Sequence, residues 1–327
     1  MSIPLIIQKL KAVSLKGRGG AEFPTWQKWL WVKQARAKKK FIVCNAAEGD
    51  PYSKKDGYLL NHFPEEVIKG IEIALKTIDN SQAFIYLRQD YYQKFRNKLI
   101  KLAKNLPIKI VKKRGGYLSG EETTLLNVIE GKEAQPRLRP PYPAQAGLWE
   151  CPTLINNLET FYFVAKIYEN KYKQTRFYTL SGKIKNPGVY QLPLNWTIQK
   201  ILEQTNNLPK TDFFLQVGGI MGEIILSSET NKPLKGLGVI VVHSFQESPI
   251  KLMRGWADFF NHENCDRCTP CREGVFRIEE MIKKGKIDFK ELEDIFFVLK
   301  QTSLCPFGRM VPLPFESLIK KIILRKK

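Results

Sequence analysis

No apolar run in this chain approaches the roughly 18–20 residues that a bilayer-spanning helix needs. Residues 1–20 (MSIPLIIQKLKAVSLKGRGG) hold a short apolar patch but no charged leader followed by a cleavage site. A cytoplasmic protein is therefore expected, with any membrane association made through partners rather than by direct insertion. Cysteine is also scarce. Six in 327 residues are too few for a disulfide scaffold of this length. Acidic side chains are short as well: 32 Asp and Glu against 53 Lys and Arg leave a formal charge of +21. That charge is compatible with nucleic acid, an anionic surface or acidic proteins. It is spread along the whole chain with no nucleic-acid-binding motif beside it, which favours a Lys-rich solvated surface or acidic partner subunits over nucleic acid. No internal repeat is present.

What remains is an ordinary globular composition, 43 % hydrophobic and 26 % charged, with length for two or three domains. In the first 170 residues strand and helix patterns alternate. Lys40–Asn45 is a buried-strand pattern. Phe63–Ile78 carries Pro64 and two glutamates at its start and Val67, Ile71, Ala74, Leu75 and Ile78 on one helical face. Gln82–Leu87 and Ile108–Lys112 are strand patterns flanking an amphipathic Asp90–Lys104. Such alternation predicts an α/β layer with a largely parallel sheet. Pro136–Pro143 (PRLRPPYP) must be loop or extended chain. From Phe177 to Val242 short strands, the turn Lys185–Gly188 and the pair Gly218–Gly219 predict a small β-rich domain, and after Met253 the chain turns helical.

Four of the six cysteines fall in the C-terminal fifth. Cys265, Cys268 and Cys271 form C-x-x-C-x-x-C, and Cys305 precedes a proline. Two-residue spacings let consecutive thiolates wrap a small cube while a remote one closes the fourth corner. Zinc is the alternative, but zinc ribbons pair two separated knuckles, so an iron–sulfur cluster is preferred. Cys44 and Cys151 are expected to be structural.

Four further stretches have the chemistry of a ligand site. Lys16–Ala21 supplies Gly17, Gly19 and Gly20, which let backbone approach an anion or flat ring, with Arg18 as positive charge. It is not G-x-G-x-x-G and no strand precedes it, so a dinucleotide fingerprint is excluded. Asn45–Pro51 follows a buried strand, where ligands of open α/β sheets sit. Arg114–Thr123 again links strand to helix, and Asn156–Asn157 lies within Pro152–Thr160. Each alone is compatible with a turn or cap; together they predict one cleft.

Taken in order, the motifs resemble a known family. GRGGAEFPTWQKW (17–29), NAAEGDP (45–51), GEET (120–123), PRLRPPYPA (136–144), CPTLINNLET (151–160), GKIKNPGVY (182–190) and CDRCTPCREG (265–274) are similar to the flavoprotein subunit of complex I. They are equally similar to its relatives in NAD-linked and electron-bifurcating hydrogenases and in formate dehydrogenases. The resemblance implies a Rossmann-like α/β flavin domain (1–172), a β-grasp domain of soluble-ligand-binding type (173–248) and a helical iron–sulfur bundle (249–327). It implies FMN and a [4Fe–4S] cluster as cofactors and NAD(H) as substrate. Partners would be a thioredoxin-like [2Fe–2S] subunit and a larger iron–sulfur or hydrogenase subunit. Gly17, Gly19, Lys28, Asn45, Gly120, Glu121, Asn156, Asn157 and Thr160 would hold FMN. Phe23, Glu48, Asp50, Glu122, Arg139 and Tyr142 would line the nicotinamide nucleotide site. No catalytic acid or base is implied, since the flavin takes the hydride.

The chain departs from the complex I form at four positions. Glu22 and Trp26 stand where the loop commonly has glycine, Ala47 where an Asp contacts the flavin, and Asp50 where a Glu is usual. Glu22 is expected to repel pyrophosphate unless it points away or pairs with Arg18. An electron-wiring or scaffolding subunit with a degenerate nucleotide or flavin site is the alternative reading.

Overall fold

The computed structural model describes residues 3–324. They divide into two compact units. One gathers the chain up to Gly49, Lys54–Gly115 and Ser119–Phe177; the other takes Asp50–Ser53, Gly116–Leu118 and the chain from Tyr178 onward.

The first unit contains helices α1 (Leu5–Ala12), α2 (Thr25–Gln34), α3 (Lys55–His62), α4 (Pro64–Thr77), α5 (Gln89–Leu102), α6 (Glu122–Ile129) and α7 (Leu158–Tyr168). Its strands β1 (Lys40–Ala46), β2 (Ser81–Leu87), β3 (Ile108–Lys112) and β4 (Thr153–Asn157) form one sheet of order β3-β2-β1-β4. Every pairing in it is parallel. Parallel strands carry helices on both faces and are buried on both, which is why Phe41–Cys44 is continuously apolar rather than alternating. Helix α4 begins where Pro64 fixes φ and Glu65 and Glu66 meet the helix N-terminus. It buries Val67, Ile71 and Ala74. Strand order decides where a ligand can enter this sheet. From β1 the sheet grows through β2 to β3 on one side, while β4 pairs on the other, so the order reverses between β1 and β4. In that pairing Asn45 is opposite Asn157 and Cys44 opposite Asn156.

The second unit opens on β5 (Thr175–Gly182), whose first residues belong to the first unit, and continues with β6 (Gly188–Pro193), α8 (Ile198–Gln204), β7 (Phe213–Val217), β8 (Glu223–Leu226) and β9 (Val239–Ser244). The sheet order is β6-β5-β9-β7-β8, with β5 and β9 parallel and β7 antiparallel to both its neighbours. Ile198, Ile201 and Leu202 of α8 pack on Tyr178, Leu215 and Ile240 of the sheet. Helices α9 (Pro249–Glu263), α10 (Thr269–Lys284), α11 (Phe289–Thr302), α12 (Pro306–Met310) and α13 (Pro312–Leu318) complete it. Trp256, Phe260, Ile278, Phe296 and Phe315 share their core. Helix α10 ends at Gly285, which takes the left-handed conformation of a C-terminal cap. The expected parallel layer, second sheet and helical end are all present.

Helices α4 and α7 touch at Gly70, where an added Cβ would lie 2.0 Å from the Phe161 carbonyl oxygen. Backbone cannot yield as a side-chain tip can. Gly70→Ala is expected to destabilise the chain by about 1–3 kcal/mol, read as a lower midpoint of chemical unfolding; a change within error would contradict this packing.

Candidate functional site

The carboxyl ends of β1 and β4 diverge at the reversal of strand order, the position at which open α/β sheets bind ligands. The first unit gathers several sequence-predicted residues here. The Asn157 amide donates to the Asn45 carbonyl (3.1 Å), and the Asn45 amide donates to the Gly120 carbonyl (2.9 Å). Gly120 lies so near Ala47 that a Cβ on it would stand 3.2 Å from the Ala47 Cβ. The glycine loop is closed by Gly17 N–H donating to the Phe23 carbonyl (2.9 Å) and anchored by Arg18 N–H donating to Thr160 Oγ1 (3.0 Å). A Cβ on Gly19 would stand 3.4 Å from the Asn157 Cβ, whereas Gly20 (φ +109°) faces open space. Gly17, Gly19, Ala47, Asn45, Gly120, Asn157 and Thr160 therefore share one place. Its close approaches are set where glycine lacks a side chain, which suits a flat ring laid on backbone.

Many of the polar groups are already engaged. Asn157 caps α7: its Oδ1 accepts from Glu159 N–H (3.0 Å) and Lys55 Nζ (2.9 Å), and its Nδ2 donates to Asp56 (3.1 Å) as well as to Asn45. Both ends of this amide are filled. Asn156, with its amide turned to satisfy both ends, accepts from Trp29 Nε1 and donates to the Ile155 carbonyl, each at 2.9 Å. Glu121 caps α6, accepting from the N–H groups of Thr123 and Thr124 (2.9 Å each), and pairs with Arg139. Glu122 pairs with Lys28, whose ammonium stands 5.8 Å from the Phe23 ring centre. Glu48 accepts from the N–H groups of Asp56 (2.9 Å) and Gly57 (3.3 Å) and from the Tyr91 hydroxyl, so it caps α3. Tyr142 is 54 % exposed. Arg18, expected as the positive charge of the glycine loop, is turned inward: it is 5 % exposed, stands over the Phe163 ring, and leaves its Nε without a hydrogen-bond partner.

Asp50 belongs to the second unit. Its carboxylate accepts from Tyr52 N–H (2.9 Å) and Ile220 N–H (2.7 Å). A Cβ on Gly219 would stand 2.0 Å from Asp50 Oδ2, which accounts for glycine at that position, while Gly218 has φ +96°.

At the departures from the family pattern, Glu22 has φ +52°, a region suited to glycine. Its carboxylate reaches Arg176 (3.7 Å), not Arg18. Trp26 lies against Lys11 of α1, with the ammonium 5.0 Å from its ring centre. A cavity of about 590 Å³ lined by Asn127, Glu130, Lys132, Arg137, Trp149 and Glu150 contains none of the predicted site residues.

Sequence reading missed Lys55, Asp56, Glu159 and Arg176, all of them buried. Lys55 pairs with Asp56 (2.6 Å) and Glu159 (3.5 Å). Burial pushes the Asp56 carboxyl up to about 6 against the pull of Lys55. The one available signal was position, since Lys55–Asp56 directly follows NAAEGDPYSK (45–54) and Glu159 directly follows Asn156–Asn157–Leu158.

In the second unit Cys268 and Cys305 are the N-cap residues of α10 and α12, and Cys271 lies in the first turn of α10. Burial, then the neighbouring Cys268, Cys305 and Cys265 thiols, push the Cys271 thiol far up. These four sulfurs are thus electrostatic neighbours, and three of them, Cys268, Cys271 and Cys305, stand at helix starts that favour anions. Among the described residues no group of three or more His, Cys, Asp or Glu is gathered as for a single metal ion. The donor set is four thiols, which fits a [4Fe–4S] cluster.

Comparison with known proteins shows the same division. Residues 10–166 match the Nuo51 FMN-binding domain, and residues 251–322 match the NADH-ubiquinone oxidoreductase-F iron-sulfur binding region. The F-type subunit of NADH-quinone oxidoreductase from Streptomyces coelicolor is 32 % identical over 96 % of this chain and 80 % of its own length. Its counterpart from Aquifex aeolicus (strain VF5) is 32 % identical over 94 % of this chain and 82 % of its own. The crystal structure of an NAD+-reducing [NiFe]-hydrogenase in the H2-reduced state superposes with a TM-score of 0.89 at 29 % identity, over 96 % of this chain. The chain spans 60 % of that hydrogenase chain's length.

Because Glu22 adopts a glycine conformation, Glu22→Gly and Glu22→Ala both lose the Arg176 pair but differ in backbone strain. The glycine variant is expected to be the more stable of the two by about 1 kcal/mol, measured by chemical denaturation; equal stabilities would remove the strain argument.

Proposed function

The chain belongs to the family of F-type NADH-quinone oxidoreductase subunits, and from that premise we propose that it is the flavoprotein subunit of a multisubunit oxidoreductase. It is an NAD(P)H dehydrogenase that takes hydride from the nicotinamide on FMN and passes single electrons through a [4Fe–4S] cluster towards partner subunits, or runs the reverse in a hydrogenase complex. When bound, FMN supplies a two-electron acceptor that releases electrons singly, and the cluster supplies a one-electron relay.

The observation that carries the assignment of the flavin site is the strand-order reversal at β1 and β4, lined by Asn45, Asn157, Gly19 and Gly120. Gly17, Gly19, Gly20 and Gly120 offer backbone to the ring. Lys28, half-buried beside Glu122, is the cation for the phosphate. Arg18, Asn45, Glu121, Asn156, Asn157 and Thr160 hold these elements in place, since their hydrogen bonds lie within the protein. Phe23, Glu122, Arg139 and Tyr142 offer the nicotinamide nucleotide an aromatic ring, paired charges and an exposed phenol. Glu48 and Asp50 contribute by shaping the backbone they cap. Cys265, Cys268, Cys271 and Cys305 are the cluster ligands.

The finer domain reading is also a proposal: residues 1–172 as flavin domain, 173–248 as β-grasp domain and 249–327 as cluster bundle. It is supported by a mixed sheet carrying α8. Partners are a thioredoxin-like [2Fe–2S] subunit and a larger iron–sulfur or hydrogenase subunit, for whose acidic faces the +21 charge is suited. No helix among the described residues is long and apolar enough to cross a membrane; attachment through partners in the cytoplasm is proposed.

The test is anaerobic co-expression with such partners followed by NADH addition. The flavin absorbance is expected to bleach while a reduced-cluster signal appears by electron paramagnetic resonance. Cys271→Ser is expected to abolish that signal and leave bleaching intact. Iron without any bleaching would replace this reading with a wiring subunit whose flavin or nucleotide site is degenerate.

A further inference from the structure

Beneath the flavin floor lies a buried ionic cluster that this reaction does not use. Lys55 is 2 % exposed, Asp56 1 % and Glu159 0 %. Two helix starts converge there: Asp56 lies in the first turn of α3, and Glu159 in that of α7. Carboxylates suit that position, and an ammonium does not. Lys55 must therefore be held by specific partners. Burial alone would lower its affinity for a proton, but Asp56, Glu159 and Glu48 together raise it, so the ammonium stays charged. Glu159 is itself fixed by Phe177 N–H, which donates to its Oε1 (3.0 Å).

The ammonium has a third partner, Asn157 Oδ1 at 2.9 Å. A side-chain amide can be turned either way, and only one way round serves this site. With Oδ1 towards Lys55, Nδ2 faces the Asn45 carbonyl and Asp56. Turned over, it would present its oxygen to a carbonyl and a carboxylate, and its donors to an ammonium.

Resting on the FMN reading above, we propose that Lys55 is a positioning residue for the flavin site. Clamped by Asp56 and Glu159, it shares Asn157 Oδ1 with the Glu159 N–H and completes the set of partners that holds the Asn157 amide in this orientation. That amide ties the end of β1 to the start of α7, and Asn45 carries the tie on to Gly120. Lys55 touches no ligand; it acts through Asn157.

The test uses full-length protein and the dissociation constant of FMN, measured by quenching of flavin fluorescence. Wild type that binds no FMN would overturn the FMN reading itself, and this proposal with it. Given wild-type binding, Lys55→Met is expected to weaken FMN at least tenfold with iron content unchanged. That variant leaves two buried carboxylates uncompensated and is prone to misfold. Lys55→Met combined with Asp56→Asn keeps the net charge of the trio at its original value while still removing the donor to Asn157. It is expected to restore thermal stability but not FMN affinity, and it decides the matter where the single variant does not fold. Wild-type affinity in either variant, or recovery of affinity together with stability in the double variant, would overturn the proposal and leave Lys55 a charge-balancing residue only.

Discussion

The site depends on satisfying backbone where β1 and β4 part. Within a parallel sheet each carbonyl finds its partner on the neighbouring strand. At a reversal of strand order the two chains leave in opposite directions, and their last polar groups lose those partners. Buried and unpaired, such groups cost roughly 1–3 kcal/mol each. The side-chain amides of Asn157 and Asn45 take over the ladder, one reaching the Asn45 carbonyl and the other the Gly120 carbonyl. That requirement brings asparagines to the strand ends before any ligand is considered. It also fixes where α6, α7 and the glycine loop start.

The same logic distributes the charges. Glu121, Glu48 and Glu159 stand at the starts of α6, α3 and α7, where unpaired N–H groups and the helix dipole favour a carboxylate. Once committed there, these acids are neutralised locally and do not oppose an anionic ligand as free charges would. Arg18, turned inward, adds packing against Phe163 rather than a charge offered by the glycine loop to an anion. The cation left half-buried beside Phe23 is Lys28, with Glu122 as its present partner. An entering phosphate must replace that carboxylate, a like-for-like exchange of anions around one ammonium.

Patterns of local origin were legible in the sequence. The apolar run of β1, the Pro-Glu-Glu start and apolar stripe of α4, and the spacing of the four cysteines each reflect interactions within a few residues. The parallel sheet was read from their alternation. Polar residues were harder, because the same types serve as caps and as ligand contacts. GEET and INNLET were read as site chemistry, and the structure shows Glu121 and Asn157 capping α6 and α7. Pairings between distant segments left no trace at all. Glu22 meets Arg176, and Lys55 meets Glu159, only because the chain brings α7 and the start of β5 back beside the glycine loop. No periodicity encodes that return.

The two lost glycines show which glycines the loop requires. A Cβ on Gly19 or Gly120 would come within 3.4 Å or 3.2 Å of the Asn157 or Ala47 side chain, on the floor itself. These positions serve close approach, and a larger residue would fill the space that a flat ring needs. Position 22 serves the turn instead. Its left-handed backbone is retained with glutamate in place of glycine, and the side chain leads to the buried guanidinium of Arg176. Position 26 lies in the first turn of α2, where Trp26 covers Lys11. Bulk at 22 and 26 is thus carried by Arg176 and Lys11, and its cost falls on backbone conformation rather than on the room above Gly19 and Gly120.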